Sequence, residues 1–303
     1  MALLYYLEKI RLPGLNEFML AITQLGDETA FLVAALILIW CVDKRTGYYV
    51  MSVGFLGTIA NQFMKLWFRI PRPWVLDENF TILEQAREGA SGYSFPSGHT
   101  QSAVGTFGSV AYTVKNKTVR TLCVIVAILV PLSRMYVGVH TPLDVCVAAV
   151  MAAVLIFALK PVVFGKNRNG FPILLAVMVI VSVAFLCFVE CYSFPLDIDP
   201  HNMESGLKNA YTLLGAIAGM IVVYIVDEKW LHFSTEAVWW VQMIKVIFGL
   251  GIVLAAKSGL KAPIEALLGN LIGRAVRYFL VVVVAGAVWP LSFRWLSRLG
   301  QKK

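Results

Sequence analysis

Charged side chains are scarce in this sequence of 303 residues. Asp, Glu, Lys and Arg make up 15% of it, whereas a soluble globular domain carries roughly 25%. Hydrophobic residues make up 59%, and the mean hydropathy is +0.74. A chain with so few charges cannot cover a water-facing surface. The composition therefore excludes an ordinary soluble domain and indicates an integral membrane protein of the all-α class.

Acidic residues and cysteines are also few. The 18 acidic residues are outnumbered by 26 Lys and Arg, but most of the basic residues flank apolar runs and do not form one solvated tract. They are typical of loops that hold membrane orientation, so we predict no nucleic-acid partner. The five cysteines show no metal-ligand spacing, which indicates small buried side chains. The first fourteen residues lack the order of a signal peptide and predict a short interfacial helix.

Apolar runs of about 20 residues predict the membrane-spanning helices. The first run is short and is preceded by two acidic residues, so we predict a polytopic helical bundle of eight or nine spans. The runs cover residues 29–42, 46–64, 97–114, 121–137, 142–159, 171–189, 209–226, 237–256 and 274–295. We predict one membrane domain over residues 1–303, with a motif core at 65–144 and additional C-terminal spans over about 171–295.

The basic residues concentrate in links that alternate with polar loops along the chain. If all the runs cross, the links 43–46, 115–120 and 160–170 fall on one side, which the positive-inside rule predicts to be cytoplasmic. The loops within 65–99 and 133–144 fall on the other side, together with the acidic link from Asp197 to Glu204. We therefore predict a site at the extracytoplasmic ends of the helices, in a bacterial plasma membrane.

Three segments in these loops carry groups suited to phosphate chemistry. Arginine forks and a lysine ammonium can hold phosphate oxygens. A Pro-Ser-Gly turn can cap a helix whose N-terminus attracts anions, and its glycine permits close backbone approach. Two imidazoles and one carboxylate complete the set. The first segment contains Lys65 and Arg72-Pro73, separated by six residues. The second is Pro96-Ser97-Gly98-His99. The third contains Ser133-Arg134, His140 and Asp144, with five residues between Arg134 and His140 and three between His140 and Asp144.

These segments match the three-part signature of the type 2 phosphatidic acid phosphatase superfamily at every position, and the chain resembles that family. The resemblance implies that His140 attacks phosphorus, that Asp144 orients it, and that His99 protonates the leaving group. It further implies a phosphohistidine intermediate that water hydrolyses. The phosphate-binding residues that it implies are Lys65, Arg72, Ser97, Gly98 and Arg134. We expect no metal and no other cofactor, because carboxylates near the motifs are too few for a two-metal site.

Two residues have alternative interpretations. The run from Thr141 to Asp144 also fits a helix start with Pro at the first position and an acid at the third, so Asp144 is a candidate cap as well as an orienter. Lys245 lies within an apolar run, where a charge is costly and marks a functional candidate, with Glu190 or Asp227 as a candidate partner. The other two histidines, at 201 and 232, are interpreted as ordinary loop residues.

The predicted substrate is a lipid phosphate or diphosphate monoester such as undecaprenyl diphosphate or phosphatidic acid, because the catalytic loops lie at the ends of spans where a headgroup would lie. The predicted partners are therefore the membrane lipid and the bilayer. The spacing of motifs among about nine spans also resembles the glucose-6-phosphatase branch of the same superfamily, which would imply a soluble sugar phosphate. A third hypothesis is a catalytically silent lipid-binding or transport protein of the same fold.

Overall fold

The computed structural model describes residues 1–90, 92–195 and 198–299. Every regular element in these ranges is helical, which confirms the predicted all-α class. Residue 197 of the acidic link and the last four residues lie outside them. The α-helices are α1 (Ala2–Lys9), α2 (Pro13–Gln24), α3 (Glu28–Ile37), α4 (Lys44–Phe68), α5 (Pro73–Leu76), α6 (Gly98–Thr113), α7 (Lys117–Tyr136), α8 (Pro142–Phe164), α9 (Gly170–Cys191), α10 (Pro200–Val226), α11 (Trp239–Gly259), α12 (Lys261–Leu268), α13 (Asn270–Val283) and α14 (Phe293–Leu296).

Six helical segments of the described chain are long and apolar enough to cross a membrane. A seventh results if the helices α2 and α3, which meet at a bend of 55°, count as one span. The six are Lys117–Tyr136, Pro142–Phe164, Gly170–Cys191, Pro200–Leu231, Trp239–Leu268 and Asn270–Leu296. Helix α6 is not among them because it has only 16 residues, or about 24 Å at 1.5 Å per residue. The polytopic helical fold is confirmed, and the count of eight or nine spans stays a prediction.

The chain divides into two compact units, and the predicted single domain stays a prediction. The first unit consists of Met1–Leu32, Tyr49–Pro161 and Ser193–Gly206, and the second of Val33–Tyr48, Val162–Tyr192 and Leu207–Lys303. The three motif segments all fall within the first unit.

Helix α1 packs against the loop that follows α4 in the first unit. Leu4 has no exposed surface, and burying a leucine contributes about 1.5–3 kcal/mol. The Tyr5 hydroxyl donates to Asp77 over 2.8 Å. The short helix predicted at the N-terminus is present, and it packs against the segment that follows α4. The buried residues of this cluster are Leu4, Phe80, Ile82, Met135 and Val145.

Prolines end α4 and begin the motif loop. Arg69 takes a left-handed conformation with φ of 51°, and Pro71 and Pro73 each lack the N–H that a continued helix would need. The helix can therefore present Lys65 in its last turn while the chain turns away towards Arg72.

Lys245 in α11 is fully buried in the second unit. Its Nζ donates to the carbonyl of Ser234 over 3.3 Å and lies 4.6 Å from the ring centre of Phe293. Asp227 forms an ion pair with Lys44, and Glu190 accepts from a tyrosine hydroxyl. Neither acid suggested by the sequence therefore pairs with Lys245 in the described part of the chain.

The two histidines outside the motifs differ in their surroundings. His201 lies in the first turn of α10, so its interpretation as a loop residue is wrong. Helix α10 begins at Pro200, since proline is favoured at the first position of a helix, and the residue that follows it is therefore helical. His232 does lie in a loop, directly after the π-helical turn Asp227–Leu231.

Candidate active site

The structure brings the predicted site residues together in the first unit. His140 lies close enough to Arg72, Arg134, Lys65 and His99 to interact electrostatically with all four. The backbone N–H of Ser97 donates to the carbonyl of Asp144 over 3.1 Å, which joins the second motif to the third. Six of the eight residues are buried, and only Gly98 and His99 are partly exposed.

Two helix-capping motifs fix the short loop that carries His140. Helix α7 ends in a Schellman arrangement: Gly138 donates to the carbonyl of Met135 and Val139 to that of Arg134. Gly138 has φ of 91°, which favours glycine. Helix α8 begins with a capping box in which Thr141 N donates to Asp144 Oδ2 (2.8 Å) and Asp144 N donates to Thr141 Oγ1 (3.3 Å).

Gly138→Ala should destabilise the protein by about 1–3 kcal/mol, because alanine is strained at this φ. An added Cβ would also lie 2.8 Å from Arg11 Nη2 and 3.1 Å from the ring of Phe80. Thermal unfolding in detergent measures the effect. Gly14→Ala is the matched control, since a Cβ there meets nothing within 4 Å. Equal melting temperatures for the two variants would contradict the proposed constraint.

His140 lies against the guanidinium of Arg72. Arg72 Nη1 is 2.9 Å from His140 Nε2 and 3.5 Å from Nδ1, so the guanidinium lies beside both ring nitrogens. Burial, and next the charge of Arg72, hold the pKa of His140 well below its usual value of 6.5. Burial also lowers the pKa of Arg72, to about 10, which leaves it charged at neutral pH. The site thus holds a neutral imidazole beside a guanidinium.

Asp144 caps α8 and also lies beside His140, so its position agrees with both interpretations that the sequence left open. Its Oδ2 caps Thr141 and lies 3.5 Å from His140 Nδ1. Ser94, which sequence reasoning missed, donates its hydroxyl to the same oxygen over 2.6 Å and lies 3.4 Å from His140 Nδ1. The sequence signal that could have indicated Ser94 is its position two residues before Pro96, where the second motif begins. The carboxylate is therefore part of the helix start and of the surroundings of the imidazole.

Backbone carbonyls hold two of the three cations of the signature. Lys65 Nζ donates to the carbonyl of Tyr93. Arg72 donates to the carbonyls of Gly92 and Val139, each over 2.9 Å. These carbonyls hold an ammonium and a guanidinium group in one pocket, where both can contact phosphate oxygens.

Arg134 is anchored by a residue that sequence reasoning missed. Its Nη1 donates to Thr23 Oγ1 over 2.8 Å, and both side chains are at most 2% exposed. Its buried Nε has no hydrogen-bond partner in the described ranges, which leaves a donor for a ligand. Thr23 lies at the bend between α2 and α3. A Cβ on Gly26, in the same bend, would lie 2.8 Å from the carbonyl oxygen of His99.

Thr23→Val should lower kcat/KM by about tenfold, because a buried guanidinium N–H loses its acceptor. Inhibition by vanadate should weaken in parallel, and Thr23→Ser should restore both values. Thr58→Val is the matched control, since the Thr58 hydroxyl only donates within its own helix. A loss of the same size in Thr58→Val, or none in Thr23→Val, would contradict this role.

The second motif starts α6. Ser97 is its N-cap, as predicted, and its Oγ accepts from Thr100 N over 3.4 Å. His99 follows in the first turn, and a Cβ on Gly89 would lie 4.0 Å from its ring. The arrangement places backbone N–H groups and an imidazole at one helix N-terminus, where phosphate binding is favourable.

Within the ranges that the structure describes, no three His, Cys, Asp or Glu residues are grouped to hold a metal ion. The expectation of a metal-independent site stays a prediction.

Two family models match the chain. Residues 44–168 match the PAP2 superfamily, and residues 211–302 match the transmembrane extension of PAP2 superfamily phosphatases. No solved structure matches significantly.

Relatives of this chain include the following three enzymes. Phosphatidylglycerophosphatase B of Bacillus subtilis is 32% identical over 165 residues, which cover 50% of this chain and 76% of the relative. Undecaprenyl-diphosphatase BcrC of the same organism is 32% identical, over 47% of this chain and 72% of its own length. An undecaprenyl-diphosphatase of Sulfolobus acidocaldarius is 30% identical, over 45% and 64% respectively.

Proposed function

Since this chain belongs to the PAP2 superfamily, we propose that it hydrolyses a lipid phosphate or diphosphate monoester through a phosphohistidine at His140. That the protein is a hydrolase of phosphate esters follows from the family and from the names of its relatives. One observation carries the mechanism: the His140 ring lies between the Arg72 guanidinium, 2.9 Å from Nε2, and the Asp144 carboxylate, 3.5 Å from Nδ1. This is the orientation that an attacking imidazole needs.

In the first step the bond between phosphorus and the leaving oxygen breaks as His140 Nε2 bonds to phosphorus. Arg72 Nη1, which lies 2.9 Å from Nε2, would donate to a phosphate oxygen, together with Arg134 and Lys65. The Ser97-Gly98 backbone supplies further N–H groups. These donors stabilise the charge of the transition state, which together with positioning accounts for most of the catalysis in phosphoryl transfer.

His99 serves as the proton donor and later as the acceptor. It gives a proton to the leaving oxygen in the first step and takes one from the attacking water in the second, which breaks the bond between phosphorus and His140. Burial, and next the charge of Arg134, lower the pKa of His99 to about 3. The negative charge of the bound phosphate group must therefore raise this pKa before the ring can protonate the leaving oxygen.

The names of the relatives support a lipid substrate. They are a phosphatidylglycerophosphatase and two undecaprenyl-diphosphatases, and each name specifies a phosphate group on a lipid. The catalytically silent alternative is set aside because the family is one of phosphatases. The soluble-sugar alternative is left to experiment.

Phosphate release by the purified protein tests the proposal. The panel contains undecaprenyl diphosphate, phosphatidic acid, phosphatidylglycerol phosphate and glucose 6-phosphate, each with and without vanadate. We expect vanadate-sensitive release from the lipids and little from the sugar. Preferential release from glucose 6-phosphate would replace the lipid assignment, and no release from any substrate would overturn the proposed function.

We also place the site on the extracytoplasmic side of a bacterial plasma membrane, on the strength of the basic links. A cysteine introduced at exposed Glu78 should react with an impermeant maleimide in intact cells, while one at exposed Lys117 should not. The reverse pattern would invert the proposed orientation.

When kcat/KM is plotted against pH, its decline on the acidic side (the acidic limb) should have a midpoint below pH 6.5. The active form of His140 is neutral, and a lowered pKa keeps it neutral as the pH falls, so activity is lost only below the usual histidine value. Two phosphate esters whose own second ionisations differ separate this limb from titration of the substrate. A limb at or above pH 6.5 with both esters would contradict the assignment.

A further inference from the structure

The second unit contains a pocket of about 300 Å³ that plays no part in the site described above. It is lined by the start of α4, the link between α8 and α9, the first turn of α9 and the end of α10. The volume is at the lower end of the range for small-molecule sites and suits a group of headgroup size.

Three aromatic rings form one wall of this pocket. Ring centres lie 5.3 Å apart for Tyr48 and Phe171, 5.0 Å for Phe171 and Tyr224, and 5.9 Å for Tyr48 and Tyr224. Tyr48 and Phe171 are buried. Such mutually packed rings give a rigid, mostly apolar wall with hydroxyl groups at its edge.

The charged residues of the pocket leave an excess of positive charge. Asp227 is already neutralised, because Oδ2 accepts from Lys44 over 2.6 Å and Oδ1 from the N–H of Phe233 over 3.2 Å. The remaining acid is Glu228. The same pocket is lined by three cations for which no hydrogen bond or ion pair is found within the described chain, namely Arg45, Lys166 and Arg168.

A concave site with low-dielectric walls concentrates the potential of such charges. Both α4 and α9 begin here, and the partial positive charge of their N-termini adds to it. The links 43–46 and 160–170 are also those that the sequence predicts to be cytoplasmic, the side where anionic lipids attract basic residues.

We propose that this pocket binds a phosphate-bearing anion, with Arg45, Lys166 and Arg168 on the phosphate oxygens and the aromatic wall beside the adjoining carbon atoms. Acidic phospholipid headgroups and soluble phosphate esters share this chemistry. The pocket shares no residue with the signature, so a failure of this proposal would leave the proposed catalytic function unaffected, and the reverse also holds.

The test compares two ligands on the full-length protein in detergent: phosphatidylglycerol in mixed micelles and soluble glycerol phosphate. Binding is measured for the wild type, for the triple variant Arg45→Gln, Lys166→Gln, Arg168→Gln, and for a matched control. The control variant is Lys115→Gln, Lys117→Gln, Arg120→Gln, which removes the same charge from a basic link that lies outside the pocket. The signature is intact in all three proteins, so any binding there is common to them.

We expect the pocket variant to lose affinity by at least about tenfold, because three basic residues no longer contact the phosphate group, while the control binds like the wild type. Loss confined to phosphatidylglycerol identifies a lipid site, and loss confined to glycerol phosphate identifies a soluble ligand. Equal losses in both variants, or unchanged binding in the pocket variant with unchanged melting temperature, would overturn the proposal.

Discussion

His140→Ala is expected to reduce phosphate release by at least about 10⁴-fold, the scale seen when a nucleophile is removed from an enzyme that forms a covalent intermediate. Alanine supplies no atom that can bond to phosphorus, and the cations that remain can bind substrate but cannot replace this step. Release from the best substrate of the panel, measured at saturation, gives the loss in kcat. Rapid acid or alkaline quenching with labelled substrate gives a second measurement, since the wild type should retain phosphate in an alkali-stable, acid-labile bond and the variant should retain none.

His201→Ala is the matched control, because this histidine is exposed in the same unit and lies outside the signature. It should release phosphate at the rate of the wild type. Elution volume and melting temperature show whether the His140 variant is folded. A folded His140→Ala protein that still turns over within tenfold of the wild type would exclude this histidine as the nucleophile.

Arg72→Ala should lower kcat/KM by about 10³-fold or more, in the range of an arginine that contacts a transferred phosphoryl group. Arg72 is buried, and its Nη1 lies 2.9 Å from His140 Nε2. Its loss removes transition-state charge stabilisation and a donor that orients the ring. Arg72→Lys keeps the charge but not the planar fork, and should recover only part of the activity.

Arg87→Ala controls for the loss of a positive charge from the same loop. Arg87 lies at the surface, pairs with Glu84 over 2.7 Å and lies 5.2 Å from the ring centre of Trp74. Surface pairs of this kind contribute little, so activity should stay within about threefold of the wild type. Similar losses in Arg72→Ala and Arg87→Ala would mean that general charge, and not the position of Arg72, supports the reaction.

Much of the fold could be predicted from apolar runs, because a chain in a bilayer must satisfy its backbone within helices. Each predicted span overlaps a helix of the described chain. The bend between α2 and α3 could not be predicted: Asp27 and Glu28 interrupted the apolar pattern, but an interruption alone does not distinguish an interfacial segment from a bent pair. Helix α12 was missed because it lies between the predicted spans 237–256 and 274–295, where no apolar run of spanning length indicated a helix.

The site could be predicted as far as its residues are adjacent in a recognisable pattern. The eight signature residues fall into three local segments, and the structure brings all of them together. Thr23 was missed because it is 111 positions away from Arg134 in the sequence, and no local sequence pattern indicates a contact at that separation. The suggestion of Glu190 or Asp227 for Lys245 was wrong for the same reason, because pairing inside a membrane depends on how helices pack and not on their composition.

The two capping motifs around His140 have a consequence for turnover. A short loop that is held at both ends by backbone hydrogen bonds has little conformational freedom left, so the proposed nucleophile is in place before substrate arrives. Substrate binding then does not need to order this loop. If the proposed lipid substrate is correct, we expect the slow events to be the entry of the headgroup from the bilayer and the release of inorganic phosphate. Turnover should accordingly respond to membrane fluidity and to the concentration of free phosphate.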